Sequence, residues 1–383
     1  MKLRNGFSRR SFILSAGVSA LVSGGCAEYS NVSELGADAA TGSERDLFSR
    51  SEAAFAKASR RGLPGAIIAV QRGEEPAQIR AYGLADVDDA LPMQTEMWMR
   101  IGSVSKLFVG YIVLKLIDEG VLDLDQPVSD FRNDVPSADK ITLLMLGNHT
   151  SGLFNPIYSK KFRTKINQSP SRRISREEMF ETAWSDTELP QQIGVFRYSN
   201  ANTALLADIA ERATGQKISA LLQKYVLSPV EVQGLRFADD HTLPEPSARG
   251  YRFGPAGGGV EYGRHFFDAT DFSASWADAA GDMQAQADTL LRAALYVVKA
   301  ANIDAGIVAR QRNFIDVRSD FGYGFCLANY NGWLGHAGDV PGFSAFTGWK
   351  PDENISLVVL TNLSNFKDGS SPADELRNSI FAA

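Results

Sequence analysis

Apolar positions along the chain change their spacing at a few places, and each change predicts an element. From Ser43 to Arg61 they recur with helical period until Gly62 and Pro64 interrupt it. Gly65-Ala66-Ile67-Ile68-Ala69-Val70-Gln71 is a continuous apolar run of strand length, and Gln78–Gly83 is its predicted partner strand. The segment from about Val104 to Glu119 is apolar nearly all round (Val104, Leu107, Phe108, Tyr111, Ile112, Leu114, Leu116, Ile117). It predicts a helix enclosed by protein and closed by Gly120. From Leu122 to about Val298 the chain reads as short helices and loops, among them Ala201–Ala213 and Ile218–Leu227. After Phe321 strands return at Tyr323–Asn329, Trp333–His336, Phe343–Lys350 and Ile355–Thr361. The last two are joined in hairpin fashion by Pro351-Asp352-Glu353-Asn354, and a final helix spans about Pro372–Phe381. Strands at both ends with helices between predict an α+β fold. Residues 46–121 and 286–383 would together build a sheet domain, with residues 122–285 forming a mainly helical domain inserted into it.

Composition narrows the function classes. The 383 residues suit about two domains at roughly 150 residues each, and 44% hydrophobic with 22% charged residues is ordinary for a globular chain. The formal net charge is -6, and it is four units more negative once Lys2, Arg4, Arg9 and Arg10 of the leader are set aside. A body that acidic lacks the electrostatic footprint of a nucleic-acid binder. His149, His241, His265 and His336 lie at no mutual ligand spacing, and Cys26 and Cys326 are the only cysteines, so no metal is expected.

Residues 1–27 read as an address. Ser8-Arg9-Arg10-Ser11-Phe12-Ile13-Leu14 is a twin-arginine pattern. Its apolar run, Phe12 to Val22, is 11 residues against the ~20 that a membrane-spanning helix needs. The expectation is export by the twin-arginine route to the periplasm or cell envelope. Cys26, after Ser23-Gly24-Gly25, stands where a lipoprotein cysteine would be acylated, with ordinary cleavage after Ala27 as the alternative. Residues 28–45 are mostly polar and small, suited to a tether between membrane and domain.

The chemistry concentrates at Ser103-Val104-Ser105-Lys106, which opens the enclosed helix. A spacing of three puts serine and lysine on one helical face, about one turn apart. At a helix N-terminus, free N–H groups and the dipole favour developing negative charge. A lysine in the first turn of an apolar helix is costly to bury, so its pKa should fall toward that of a useful base. The same pattern occurs at Ser137-Ala138-Asp139-Lys140 and Ser364-Asn365-Phe366-Lys367. One follows Pro136 in a polar loop and the other a strand end with no buried helix behind it, so context selects Ser103. An N-cap serine beside a snorkelling lysine is the purely structural alternative.

Two further patterns accompany it. Tyr198 and Asn200 lie two apart in a segment expected to be extended, where both can face one way. A phenol can take part in proton transfer, and an amide can orient a substrate or a lysine. Leu334-Gly335-His336-Ala337-Gly338 ends a strand just before Pro341-Gly342-Phe343-Ser344, and its glycines would let a substrate approach the strand's N–H donors.

In the order Ser-x-x-Lys, Tyr-x-Asn, His-x-Gly, these residues resemble the serine β-lactamase and penicillin-binding-protein superfamily. The likeness is greatest to the branch shared by class C β-lactamases, certain DD-peptidases, D-aminopeptidases and esterases. Ile101-Gly102, Leu122-Asp123-Leu124-Asp125-Gln126-Pro127-Val128, His149-Thr150-Ser151-Gly152-Leu153 and Ala279-Ala280-Gly281 are similar to the same family, and the resemblance spans roughly Phe48 to Ile380. It implies an antiparallel sheet flanked by helices with an inserted all-α domain. It also implies Ser103 as the acylated nucleophile, with Lys106 and Tyr198 sharing the proton transfers and the acylation base open between them. Asn200, His336 and Gly338 would meet the substrate, and the N–H groups of Ser103 and Asp339 would form the oxyanion hole. No cofactor is implied, and the partner is a small-molecule ester, peptide or β-lactam. His336 stands where β-lactamases carry the lysine of Lys-Thr-Gly, and a histidine supplies that charge only partly at neutral pH. Efficient β-lactamase action is therefore discounted. The expected function is an exported serine hydrolase acting through an acyl-enzyme on an ester or peptide-like amide. A DD-carboxypeptidase or true β-lactamase, and a slowly deacylating penicillin- or peptide-binding module, are the alternatives.

Overall fold

The computed structural model describes residues 42–185, 192–238, 240–255, 260–261 and 263–381. The twin-arginine segment and Cys26 lie outside the described residues, and helix α1 (Gly42–Ser59) begins inside the stretch read as a tether.

Both ends of the chain feed one sheet. The N-terminal part supplies β1 (Gly65–Arg72), β2 (Gln78–Asp86) and β3 (Leu91–Pro92). The C-terminal part supplies β9 (Ile315–Arg318), β10 (Phe321–Tyr323), β11 (Ala328–Tyr330), β12 (Trp333–Val340), β13 (Phe343–Lys350) and β14 (Ile355–Thr361). Their order is β3-β2-β1-β14-β13-β12-β11-β10-β9, with every neighbour antiparallel. Short strands between the two groups form small separate sheets: β4 (Met99–Arg100), β5 (Leu235–Arg236) and β8 (Gln284–Ala285) in one, β6 (Tyr251–Gly254) and β7 (His265–Asp268) in the other.

The central strands read as unbroken apolar runs because both faces are covered, and side-chain alternation sorts them into two cores. Ile67, Ala69, Val358, Leu360, Phe343 and Ala345 point to one core, which also holds α2 (Ser105–Asp118) and the helix Ala287–Val298. Ala66, Ile68, Val70, Leu357, Val359 and Phe346 point to the other, beneath α1 and the helix Pro372–Ile380. The first core explains the apolar girth of α2: Phe108, Ile112, Val113 and Leu114 are all fully enclosed. Each such side chain contributes about 1.5–3 kcal/mol by leaving water.

Between the two groups of strands lie α3 (Leu143–Gly147), α4 (Lys160–Gln168), α5 (Arg176–Ser185) and α6 (Asn200–Thr214). Two local readings of the sequence are corrected. Tyr323–Asn329 is not one strand but the ends of β10 and β11 around a tight turn, closed by Gly324 N–H on the Leu327 carbonyl with Cys326 at a φ of 49°. The turn residues are as apolar and buried as the strands, so the pattern hides the break. Strand β12 does not end at His336 but continues to Val340, carrying Gly338 and Asp339 within it.

Candidate active site

Ser103 sits in a 3-10 turn, Gly102–Val104, that leads directly into α2, so its N–H belongs to the first turn, where helix donors have no intrahelical acceptor. Gly102 adopts a φ of +52°, which a side chain disfavours. A Cβ there would lie 2.8 Å from the Asp339 nitrogen. From the other side, a Cβ on Gly338 would run into the Ile101 carbonyl oxygen and lie 2.8 Å from the Ser103 nitrogen. Two glycines thus allow strand β12 to press against the turn that carries the serine.

That contact brings together two N–H groups. Beyond Gly335, β12 has no partner on its β11 side, because β11 pairs only with Trp333–Gly335. Ala337 N–H points to that open edge, where it donates to the Tyr330 hydroxyl at 3.1 Å. Backbone groups two residues apart on a strand face the same edge, so Asp339 N–H points there as well, toward the Ser103 turn. Ser103 and Asp339 N–H groups are therefore neighbours, the arrangement that stabilises an oxyanion. The Asp339 carboxylate alternates to the opposite face, where it is exposed and accepts from Ser371 Oγ at 3.0 Å.

Lys106 is fully buried, and its Nζ touches three acceptors: Ser103 Oγ at 3.0 Å, Asn200 Oδ1 at 2.9 Å and the Ala280 carbonyl at 2.8 Å. Burial pulls its pKa down to about 7, with nearby Cys326 opposing the shift. Asn200 Oδ1 and the carbonyl can only accept. The two hydrogens of the neutral amine are thereby committed to them, and its lone pair is left facing Ser103 Oγ. Nζ also lies 4.8 Å from the centre of the Tyr198 ring.

Tyr198 reaches Ser103 with its hydroxyl, and Asn200 is not in an extended segment but is the first residue of α6. Tyr198 keeps some surface open, yet the protein around its phenol is dense. Burial pushes its pKa well above 10, and the hydrogen bond to Ser103 only partly offsets this. A resting tyrosinate is therefore disfavoured.

His336 lies on the α2 face of β12, as strand alternation from Leu334 and Val340 requires. Its Nδ1 bonds the Ala337 carbonyl, which can only accept, so Nδ1 carries the proton. Its Nε2 then accepts from the Tyr323 hydroxyl at 2.9 Å. Both nitrogens are engaged, and burial followed by repulsion from Lys106 pulls the pKa down to about 3. His336 is a neutral, fixed imidazole.

The structure thus gathers Ser103, Lys106, Tyr198, Asn200, Gly338 and the Asp339 N–H at one place, with His336 behind them. Cys326 is buried, and among the described residues it forms no disulfide. No group of three His, Cys, Asp or Glu side chains able to hold a metal occurs among the described residues. Sequence reasoning gave no role to the Ala280 carbonyl, Tyr323, Tyr330 or Asn155. A backbone carbonyl carries no side-chain signal, and the two tyrosines look like ordinary strand aromatics. Asn155 accepts from Asn200 N–H at 3.4 Å and has no motif of its own.

The Beta-lactamase family model matches residues 45–379. Among curated proteins the chain is similar to Protein flp of Staphylococcus aureus (strain MRSA252), 24% identical over 319 residues, 79% of this chain and 60% of the relative. The chain therefore spans about 60% of the length of the curated relatives it first matches. Among solved structures it resembles a D-stereospecific amidohydrolase from Streptomyces sp., with TM-score 0.76 and 21% identity, covering 87% of this chain and 98% of that one. It also resembles a D-amino acid amidase from Ochrobactrum anthropi SV3, with TM-score 0.76 and 21% identity over 87% and 96% of the two chains. With the fold and the family match in agreement, the chain belongs to the Beta-lactamase family.

Proposed function

We propose that the protein hydrolyses an ester or amide whose acyl group carries no carboxylate beside the scissile bond, through an acyl-enzyme on Ser103. The observation that carries this reading is the commitment of Lys106 Nζ to two pure acceptors, which turns its lone pair to Ser103 Oγ. Ser103 Oγ attacks the substrate carbonyl while its proton passes to Lys106 Nζ. The oxyanion is held by the N–H groups of Ser103 and Asp339, and the neutral Tyr198 phenol relays a proton to the leaving amine or alcohol as the C–N or C–O bond breaks. Water then attacks the ester carbonyl, returning the proton to Ser103.

His336 supports a preferred substrate other than a β-lactam. Neutral and engaged at both nitrogens, it offers no cation to a substrate carboxylate. The D-amino acid amidase likeness supports an amide acyl donor without fixing its stereochemistry. The twin-arginine pattern and Cys26 support export to the cell envelope with a lipid tether, and the intact mass of membrane-extracted protein distinguishes acylation at Cys26 from cleavage after Ala27.

The test follows product release and intact-protein mass for wild type and Ser103→Ala with a p-nitrophenyl ester, an amino acid amide and a penicillin. Turnover of the ester or amide that vanishes in Ser103→Ala, with penicillin slow, is the expected result. Penicillin turnover faster than both would overturn the substrate class. Equal turnover by the two proteins would overturn the nucleophile.

A further inference from the structure

The segment that carries Tyr198 and Asn200 is gripped from one side by the loop after α3, and His149 is the centre of that grip. The His149 carbonyl accepts from Arg197 N–H at 2.7 Å, and its Nδ1 accepts from Ser199 N–H at 3.4 Å and from the Asn202 side chain at 2.9 Å. Its ring lies 4.3 Å from the Tyr198 ring and 4.9 Å from the Tyr323 ring, centre to centre. One residue thus touches Arg197, Tyr198, Ser199 and Asn202, a run that brackets both site side chains.

The tautomer follows from the partners. Ser151 Oγ accepts from Leu153 N–H and donates to Asn202 Oδ1, so the Asn202 amide turns its N–H toward His149. With two donors aimed at it, Nδ1 is unprotonated and Nε2 holds the hydrogen. Burial, then Lys106, holds the imidazole well below its usual pKa, consistent with a neutral ring.

His149 is also an uncomfortable residue for its place. It is fully buried, it sits at a φ of 61°, and its Nε2 finds no protein acceptor among the described residues. If packing alone were needed, a phenylalanine would fill the ring's place without an orphaned donor. What only an acceptor at the Nδ1 position supplies is the pair of bonds from the Asn202 side chain and from Ser199 N–H, the latter between the two site residues. Strain and an unpaired group that persist together mark a position held for its function.

We infer that His149 is a positioning residue for acyl transfer: as a neutral Nδ1 acceptor it fixes the backbone between Tyr198 and Asn200, and with it the distances of both side chains to Ser103 and Lys106. This inference rests on the site reading above. It concerns the chemical step and not substrate binding, because His149 is buried behind the tyrosine.

The test compares His149→Phe, which keeps a ring and loses the acceptor, with His149→Asn, which keeps an acceptor near the Nδ1 position and tolerates the positive φ. With a p-nitrophenyl ester, kcat of His149→Phe is expected to fall about 100-fold, as small misplacements of catalytic groups do. KM should stay within about threefold, and His149→Asn should recover most of the loss. Thermal melts of all proteins verify folding. If His149→Phe does not fold, the kcat of His149→Asn alone decides: close to wild type supports the inference, and a loss near 100-fold contradicts it. Equal losses in both folded variants, or a change confined to KM, would also overturn it. Ser103→Ala assayed alongside separates the two readings. A dead Ser103→Ala with an unimpaired His149→Phe removes only the role of His149, whereas an active Ser103→Ala removes the site reading itself.

Discussion

Ser103–Lys106 and Ser364–Lys367 share one spacing in two regions of the molecule, and the comparison separates what spacing supplies from what burial supplies. At the first, the lysine is fully enclosed at the head of an apolar helix and its Nζ lies 3.0 Å from the serine oxygen. At the second, Ser364 Oγ bonds Asn365 and Lys367 is exposed over the Phe253 ring, 5.4 Å from its centre. The third copy resembles the second: Lys140 is exposed, and Ser137 meets it through a backbone hydrogen bond from Lys140 N–H. A spacing of three brings two side chains within reach on a helical turn, but spacing alone does not change the chemistry of either. An amine becomes a base near neutral pH only where water is withheld from its charged form. The same four-letter pattern encloses its lysine in one place and leaves it in solvent in two.

The comparison can be broken most severely at the lysine. Lys106→Arg makes the positive charge permanent and removes the dissociable proton, since a guanidinium does not deprotonate in proteins. Ester turnover should drop about 1,000-fold, within the range that a lost general base costs. Retained turnover would mean that charge, not proton transfer, is what Lys106 provides. Gly338→Ala attacks the approach of β12 to the serine turn. Its Cβ would collide with Ile101 and crowd the Ser103 nitrogen, so kcat should fall about 100-fold, the usual cost of losing an oxyanion donor. Circular dichroism should be unchanged.

How much of this was legible in the sequence depended on where the signal resides. Elements built from continuous burial were readable: α2 from its apolar girth, and β1, β13 and β14 from apolar runs whose ends are marked by glycine or a polar hairpin. The two-residue strands β4, β5 and β8 were not, because two residues carry no periodicity and their pairing is set by distant chain segments. At the site, Ser103, Lys106, Tyr198 and Asn200 were found by residue type and order. The Ala280 carbonyl, the Tyr323 bond that fixes His336, and the grip of His149 on Ser199 are tertiary contacts that no local pattern announces. The choice of base that the sequence left open between Lys106 and Tyr198 is one on which the fold bears: burial moves the two in opposite directions, the lysine toward neutrality and the phenol away from it.

Smaller effects sharpen the picture. Tyr323→Phe removes the donor to His336 Nε2 and leaves a buried acceptor unpaired, so the melting transition should reflect a loss of about 1–3 kcal/mol, with kcat changed less than in Gly338→Ala. A stability loss confined to low pH would instead point to a protonated His336. At the bottom of the scale, Lys140→Ala and Lys367→Ala should leave ester turnover at the wild-type value and shift stability by no more than about 1 kcal/mol. A substantial loss of turnover in either would mean that the exposed copies of the pattern are not inert.

The central claim is that burial makes Lys106 the base for Ser103, and the pH dependence of Ser103 acylation tests it most directly. The rate of acyl-enzyme formation from an activated ester, followed by quenched-flow mass spectrometry across the pH range, reports the protonation state of the group that takes the serine proton. A base whose folded pKa is lowered is protonated and idle below that value and free above it. The rate should therefore rise with pH and level off with a midpoint near 7. A midpoint near the ordinary lysine value of 10.5, or a rate that does not change with pH, would contradict the account.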